Sequence, residues 1–366
     1  MKTVYVIAGE ASGDLHAANL IRRLTPMLSG WRFRGVGGDQ MHDAGVEIFR
    51  HIRQTNFMGF VEVAKHLPEI IRLFRDVKRD VVRTHPDFAL LVDYPGFNLR
   101  MTTFFRRMGI PVYYYIAPQL WAWKKGRVKI FKKHVERLFV ILPFEPAFFA
   151  GEGLEVEFHG HPILDVEAIA SSPPMRSDGP IALLPGSRPQ EIRKHLPTML
   201  EAAATWAAEM EVVVAGAPTV PPEFYGPFLR AYPRVTLLHN RTHETLAVAR
   251  AALTASGTAT LETALFNVPQ AVCYKGGAIS FFLAKRLVKV PFISLVNLIL
   301  GRRVVAEYIQ YDVTSYVLRM ELESLLFDVD KREKMARDYT ELRQVLGGSG
   351  ASLRLAHSLA QRWLSN

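Results

Sequence analysis

The sequence predicts two Rossmann-like α/β domains with parallel sheets facing across a cleft, and three observations carry that prediction. Short Val/Ile/Leu-rich runs alternate with helix-length amphipathic stretches along almost the whole chain, as in parallel sheets whose strands are buried on both faces. The alternation restarts once, after Gly160-His161-Pro162 and Ser171-Ser172-Pro173-Pro174. The 366 residues also suit two domains better than one.

In the first half the strand candidates are Thr3–Ala8, Trp31–Val36, Phe88–Val92, Val112–Ile116 and Arg137–Leu142. In the second half they are Ile181–Leu184, Glu211–Ala215, Val235–Leu238, Ala251–Ala255 and Gln270–Tyr274. From Thr314 onward only helical patterns remain, interrupted at Gly347-Gly348. We therefore expect a first domain over 1–165, a second over 166–345, and a terminal helix within 346–366 that crosses back to the first domain or to a partner chain.

Composition narrows the function. With 49% hydrophobic and 22% charged residues the chain reads as globular, not disordered. A single cysteine, Cys273, rules out an intramolecular disulfide or a cysteine-cluster metal site. Met1-Lys2 leads straight into a strand-like run, so no secretory signal is expected, and no apolar run approaches the ~20 residues of a membrane span. The net charge of +10 is concentrated: residues 65–137 hold 16 Lys and Arg against six Asp and Glu, the whole excess of the chain. Such clustering points to an anionic partner, whether nucleic acid, acidic lipid or a phosphorylated ligand.

Ligands of open parallel sheets bind at the carboxyl ends of the strands, so the loops there hold the chemistry. The first strand runs into Gly9-Glu10-Ala11-Ser12-Gly13-Asp14, where small residues and a helix start suit a phosphate or sugar, or make a plain turn. The spacing is not that of a dinucleotide fingerprint. The strand ending at Val92 delivers Asp93-Tyr94-Pro95-Gly96-Phe97-Asn98. Asp93 fits a general base as well as it fits a turn-capping carboxylate. In the second half, Pro185-Gly186-Ser187-Arg188-Pro189-Gln190-Glu191 opens a helix. Ser187 and Gln190 fit a capping box there, and Gly186, Arg188 and the helix start suit a pyrophosphate. Ser256-Gly257-Thr258 repeats the device, with Glu262 one turn into the following helix and suited to a ribose. An ordinary capped helix is the alternative at each loop, and the pair is more telling than either alone.

Two basic stretches admit two readings each. Apolar residues at 60, 63, 67, 70, 74, 77 and 81 make one helical stripe flanked by Lys65, Arg72, Arg75, Lys78 and Arg79, which suits a core helix or one lying in a membrane interface. Trp121-Ala122-Trp123-Lys124-Lys125 suits nucleic-acid stacking or a basic helix. Metal signals are thin: His159 and His161 sit at the domain junction and suit backbone bonding, and Asp328-Val329-Asp330 reads as a helix cap.

Taken in order, these loops resemble the lipid-A-disaccharide synthase family of GT-B glycosyltransferases. The match rests on Ala8–Asp14, Asp93 with Phe97-Asn98, Trp121-Ala122-Trp123, Leu183–Arg188, Ser256–Glu262, Leu283–Lys289, and Asn297 with Gly301-Arg302. It covers nearly the whole chain. The first loop departs slightly, reading Glu-Ala-Ser where Glu-Thr-Ser is common, and Pro189 follows Gly-Ser-Arg. The resemblance implies an inverting transfer of 2,3-diacylglucosamine from UDP to the 6-hydroxyl of 2,3-diacylglucosamine 1-phosphate, with neither metal nor cofactor. It implies Asp93 as the base with Glu10 as the alternative, and Ser12, Gly13, Asp14 and Asn98 on the acceptor. Gly186, Ser187, Arg188, Ser256, Gly257, Thr258, Glu262 and Asn297 fall to the UDP-sugar. It implies cytoplasmic work at the inner face of the inner membrane, with Phe60, Val63, Leu67, Ile70, Ile71 and Phe74 facing lipid, and it allows a homodimer. A glycosyltransferase with another lipid-linked acceptor, or a sugar-nucleotide epimerase, would keep the nucleotide loops. A nucleic-acid-binding protein would leave them idle, and no nucleic acid is expected.

Overall fold

The computed structural model describes all residues except 55–66, 123–124, 277–290 and 366. The chain forms two compact units, Met1–Asp165 together with Gly347–Asn366, and Val166–Leu346. The expected lipid-facing Phe60 and Val63, and the family-like stretch Leu283–Lys289, lie outside the described residues.

The first unit is built on seven strands: β1 (Thr3–Ala8), β2 (Arg32–Gly37), β3 (Glu47–His51), β4 (Phe88–Val92), β5 (Val112–Tyr115), β6 (Arg137–Val140) and β7 (Glu157–Phe158). All pair in parallel, in the order β3-β2-β1-β4-β5-β6-β7. Successive side chains of β1 point to opposite faces: Val4, Val6 and Ala8 enter one core, Tyr5 and Ile7 the other. That two-sided burial is why the strand reads as a continuous apolar run. Chain order moves outward from β1 to β3 and then returns to the other side of β1 at β4. The reversal between β1 and β4 is the topological switch point.

The terminal helix Ala351–Leu364 belongs to this unit. The Asp165 carboxylate accepts hydrogen bonds from the amides of Gly350, Ala351 and Ser352 at 2.6, 3.2 and 2.7 Å, so a residue distant in sequence caps the helix. At its far end Trp363 is fully buried and stacks on Phe88, with ring centroids 5.3 Å apart.

The second unit holds β8 (Ile181–Leu184), β9 (Val212–Gly216), β10 (Val235–His239), β11 (Ala251–Ala255), β12 (Gln270–Tyr274) and β13 (Ala306–Ile309). Its parallel order, β10-β9-β8-β11-β12-β13, places the switch point between β8 and β11.

One expectation about the basic helix is corrected. The helix Leu67–Thr84 turns the lower part of its apolar stripe inward: Val77 and Val81 are fully buried, and Phe74 stacks on Phe97 at 4.1 Å between ring centroids. Phe74 is thus a core-packed residue rather than a lipid-facing one. Ile70 is half-buried, whereas Ile71 is 51% exposed.

Candidate active site

In the first unit the two loops singled out by sequence leave adjacent strands at the switch point: Glu10 follows β1, and Asp93 follows β4. The Asp93–Tyr94 turn is unusual, since both residues have φ of +48°, a left-handed conformation that costs energy outside glycine. Backbone and side-chain bonds over-determine it. The Asp93 amide donates to the Tyr115 carbonyl at 2.9 Å, and its own carbonyl accepts from Tyr114 Oη and Asn98 Nδ2, both at 2.7 Å. The Phe97 and Asn98 amides close on the Tyr94 carbonyl at 3.2 and 2.9 Å. Tyr94 in turn lies over Gly9, where an added Cβ would meet its ring at 2.2 Å, so only glycine lets the two loops approach this closely.

Two of the expected acceptor ligands, Asn98 and Asp14, also make structural hydrogen bonds here. Asn98 is fully buried and its amide group donates to the Ile7, Val92 and Asp93 carbonyls, which makes it a bracket for the turn. Asp14 is also buried, and its carboxylate receives the Gly38, Gln40 and Met41 amides at 2.7, 3.1 and 3.2 Å. It holds the start of the short helix Asp39–Asp43. Ser12 is exposed on the first turn of the helix Ala11–Leu24, and Gly13 is buried beside it.

Two buried carboxyls of this unit, Asp93 and Glu145, are both pushed up to about 7 by burial, and of the two only Asp93 also feels the Glu10 charge. Burial, and secondarily the Glu10 charge, pushes its carboxyl up to about 7, against a weaker opposing effect of the Tyr94 amide. The Tyr94 phenol is raised by the same two causes. Sequence reasoning gave no role to Glu145, which is 1% exposed and accepts from Trp121 Nε1 at 3.3 Å and from the Ile141 and Leu142 amides at 3.1 and 2.9 Å. It ties Trp121, on the loop after β5, to the end of β6, and nothing about an isolated Glu in the sequence signals that job.

The second unit repeats the arrangement. Its two anion-type loops follow β8 and β11, the strands that flank its switch point. Gly186 has φ of +118°, and a Cβ there would meet Glu191 at 2.7 Å. The expected capping box of Ser187 and Gln190 does not form: Arg188 is the N-cap of the helix Pro189–Ala204 with no side-chain cap bond, and Glu191 reaches back to the Ser187 amide at 3.0 Å. Glu191 also pairs with Arg188 at 3.2 Å. Ser187 and Arg188 are exposed, and the Ser187 carbonyl accepts from Thr219 Oγ1 at 2.7 Å.

Across the switch point Gly257 and Thr258 are exposed at the start of the helix Thr258–Leu265, while Ser256 donates its hydroxyl to the Ile293 carbonyl at 3.1 Å. Glu262 lies 3.9 Å from His243 Nε2 and raises that imidazole's pKa, a partner that sequence reasoning missed. Asn297 lies in the interior of this unit. It is fully buried, its Nδ2 donates to Val305 O and Glu307 Oε1, and its Oδ1 accepts from the Val304 and Val305 amides. These bonds brace the segment Val304–Glu307 against the helix that carries Asn297.

The family model described as lipid-A-disaccharide synthetase matches residues 4–361. A lipid-A-disaccharide synthase of Anaeromyxobacter dehalogenans is 38% identical over 368 residues, spanning 97% of this chain and 96% of its own. The chain belongs to the lipid-A-disaccharide synthase family. It is accordingly an enzyme, a glycosyltransferase of lipid A biosynthesis.

Solved structures share the fold of this lipid-A-disaccharide synthase family member at much lower identity. A putative UDP-N-acetylglucosamine 2-epimerase from Listeria monocytogenes has a TM-score of 0.69 at 13% identity, over 100% of this chain and 98% of that one. The calicheamicin glycosyltransferase CalG4 has a TM-score of 0.59 at 19% identity, over 99% of both chains. The fold is GT-B, two Rossmann-like units with parallel sheets. Among the described residues no helix is long and apolar enough to cross a membrane.

Proposed function

We propose that the chain transfers 2,3-diacylglucosamine from its UDP derivative to the 6-hydroxyl of 2,3-diacylglucosamine 1-phosphate, with inversion, giving a β-1,6-linked tetraacyl disaccharide phosphate and UDP. The observation that carries the reading is the pairing of loops. The two candidate base carboxyls flank the switch point of one sheet, and the two anion-type loops flank the switch point of the other.

The Asp93 carboxylate takes the proton of the acceptor 6-hydroxyl as that oxygen forms its bond to the anomeric carbon. The bond from that carbon to the UDP oxygen breaks on the opposite face, and UDP leaves with the electron pair. A base with a pKa of about 7 is well matched to proton removal near neutral pH. Arg188 and the start of the helix Pro189–Ala204 compensate the charge gathering on UDP. Gly186 allows the close approach, the exposed Gly257 and Thr258 receive the nucleotide with Ser256 at their base, and Glu262 takes the ribose hydroxyls. Ser12 and Gly13 hold the acceptor beside Glu10.

The acyl chains of both substrates place the work at a lipid surface, which for this pathway step is the cytoplasmic face of the inner membrane. The half-buried Ile70 and exposed Ile71, on a helix bearing Arg72, Arg75, Lys78 and Arg79, support peripheral binding to anionic headgroups.

The test is UDP release from UDP-2,3-diacylglucosamine in detergent with EDTA, with and without 2,3-diacylglucosamine 1-phosphate. Acceptor-dependent release that survives EDTA is expected. UDP binding without release would redirect the search to other acceptors, and absence of both would end the proposal.

A further inference from the structure

His195 is a buried titratable side chain that this mechanism leaves unused. It projects from the second turn of the helix Pro189–Ala204 and is 2% exposed. Its Nδ1 lies 3.0 Å from the Pro185 carbonyl oxygen, and its Nε2 lies 2.8 Å from the Lys275 amide nitrogen. These partners fix the tautomer. A carbonyl oxygen only accepts, so Nδ1 carries the hydrogen; a backbone N–H only donates, so Nε2 keeps its lone pair. An imidazolium would set a second N–H against the Lys275 amide. Burial lowers the pKa as well, together with Lys194 on the same helix and Lys275 just after β12, against the Pro185 carbonyl and Glu191.

The two bonds reach both sides of the second unit's switch point. Pro185 opens the loop carrying Gly186, Ser187 and Arg188 after β8. Lys275 directly follows β12, the neighbour of the strand whose loop carries Ser256, Gly257 and Thr258. Lys275 adds a second tie through Nζ, which donates to Thr198 Oγ1 at 3.4 Å.

We infer that His195 is a positioning residue: a neutral imidazole strut that sets the phosphate-holding loop after β8 against the end of β12. The inference rests on the reading that Gly186–Arg188 takes the UDP pyrophosphate. A displaced anion loop loses ligand affinity because its amides no longer converge on the phosphate oxygens.

The experiment compares UDP titration and steady-state kinetics of the full chain with those of His195→Ala, His195→Gln and Arg188→Ala, and records imidazole ¹⁵N spectra of the unsubstituted protein. His195→Ala is expected to raise the UDP Kd and the donor KM about tenfold, leaving the acceptor KM unchanged. His195→Gln, whose terminal oxygen can accept from the Lys275 amide, is expected to recover part of that loss. The spectra are expected to show one imidazole held as the Nδ1–H tautomer through pH 5–9. A folded His195→Ala protein that binds UDP normally overturns the inference, as does an Nε2–H tautomer. If the Ala variant does not fold, the Gln variant and the spectra decide. Should Arg188→Ala leave UDP affinity unchanged, the loop reading itself fails, whichever way His195 behaves.

Discussion

At the scale of single residues, Asp93 links stability to activity. Its carboxyl sits at about 7 in the fold against 3.8 ordinarily, so its contribution to stability is full at acid pH and is lost as pH rises through 7. Asp93→Asn is expected to stabilise the protein at pH 8 by about 1–3 kcal/mol while lowering kcat by about 10²–10⁴. Thermal melts and UDP-release rates check both, and a variant that is less stable at pH 8 would show that burial is not what raises the group. Glu10→Gln removes the lesser of the two causes. The acid limb of kcat/KM is expected to move only part of the way from about 7 toward the ordinary carboxylate range. The positions of Asp93 and Glu10 were legible because an acidic residue just past an apolar strand stands at the carboxyl edge whatever its rotamer. The structural bonds of Asn98, Asp14 and Asn297 were not legible for the complementary reason: sequence gives the residue type near a loop, but not that the side chain turns back to satisfy buried carbonyls and amides.

At the scale of elements, the helix Leu67–Thr84 divides its apolar residues between two environments. Val77 is sealed in the core, whereas Ile71 is half exposed among arginines. Val77→Ala is therefore expected to cost about 1–3 kcal/mol in a denaturant melt without changing vesicle binding by the folded fraction. Ile71→Ser is expected to change stability by no more than about 0.5 kcal/mol yet weaken co-sedimentation with anionic vesicles. Equal destabilisation by both would return Ile71 to the core. A single apolar stripe cannot announce such a division, because lipid and protein core select the same residue types. Strand recognition failed in a similarly physical way. The central strands, buried on both faces, were found nearly to the residue, but β3, β7 and β13 were missed. Glu47-Ile48-Phe49-Arg50-His51 and Ala306-Glu307-Tyr308-Ile309 are only partly buried and show no continuous apolar run, as their positions at or near sheet margins require.

At the scale of the whole molecule, each sheet reverses its winding once, and that reversal gathers loops far apart in sequence. Motif order made the fold and the paired loops legible, yet only strand order showed that Glu10 with Asp93, and Gly186–Arg188 with Ser256–Thr258, leave adjacent strands. The same long-range logic applies to the terminal helix, whose first turn is capped by Asp165. Asp165→Ala leaves those amides without their acceptor and is expected to destabilise the first unit by about 1–3 kcal/mol, read from the urea midpoint. An unchanged midpoint would mean that packing around Trp363 alone holds the helix. The division of labour between the two switch points is the central claim, and UDP titration of Asp93→Asn beside Arg188→Ala tests it most directly. Unchanged UDP affinity in Asp93→Asn with affinity at least about tenfold weaker in Arg188→Ala is the predicted result. Loss of UDP binding in Asp93→Asn, with normal binding in Arg188→Ala, would contradict it.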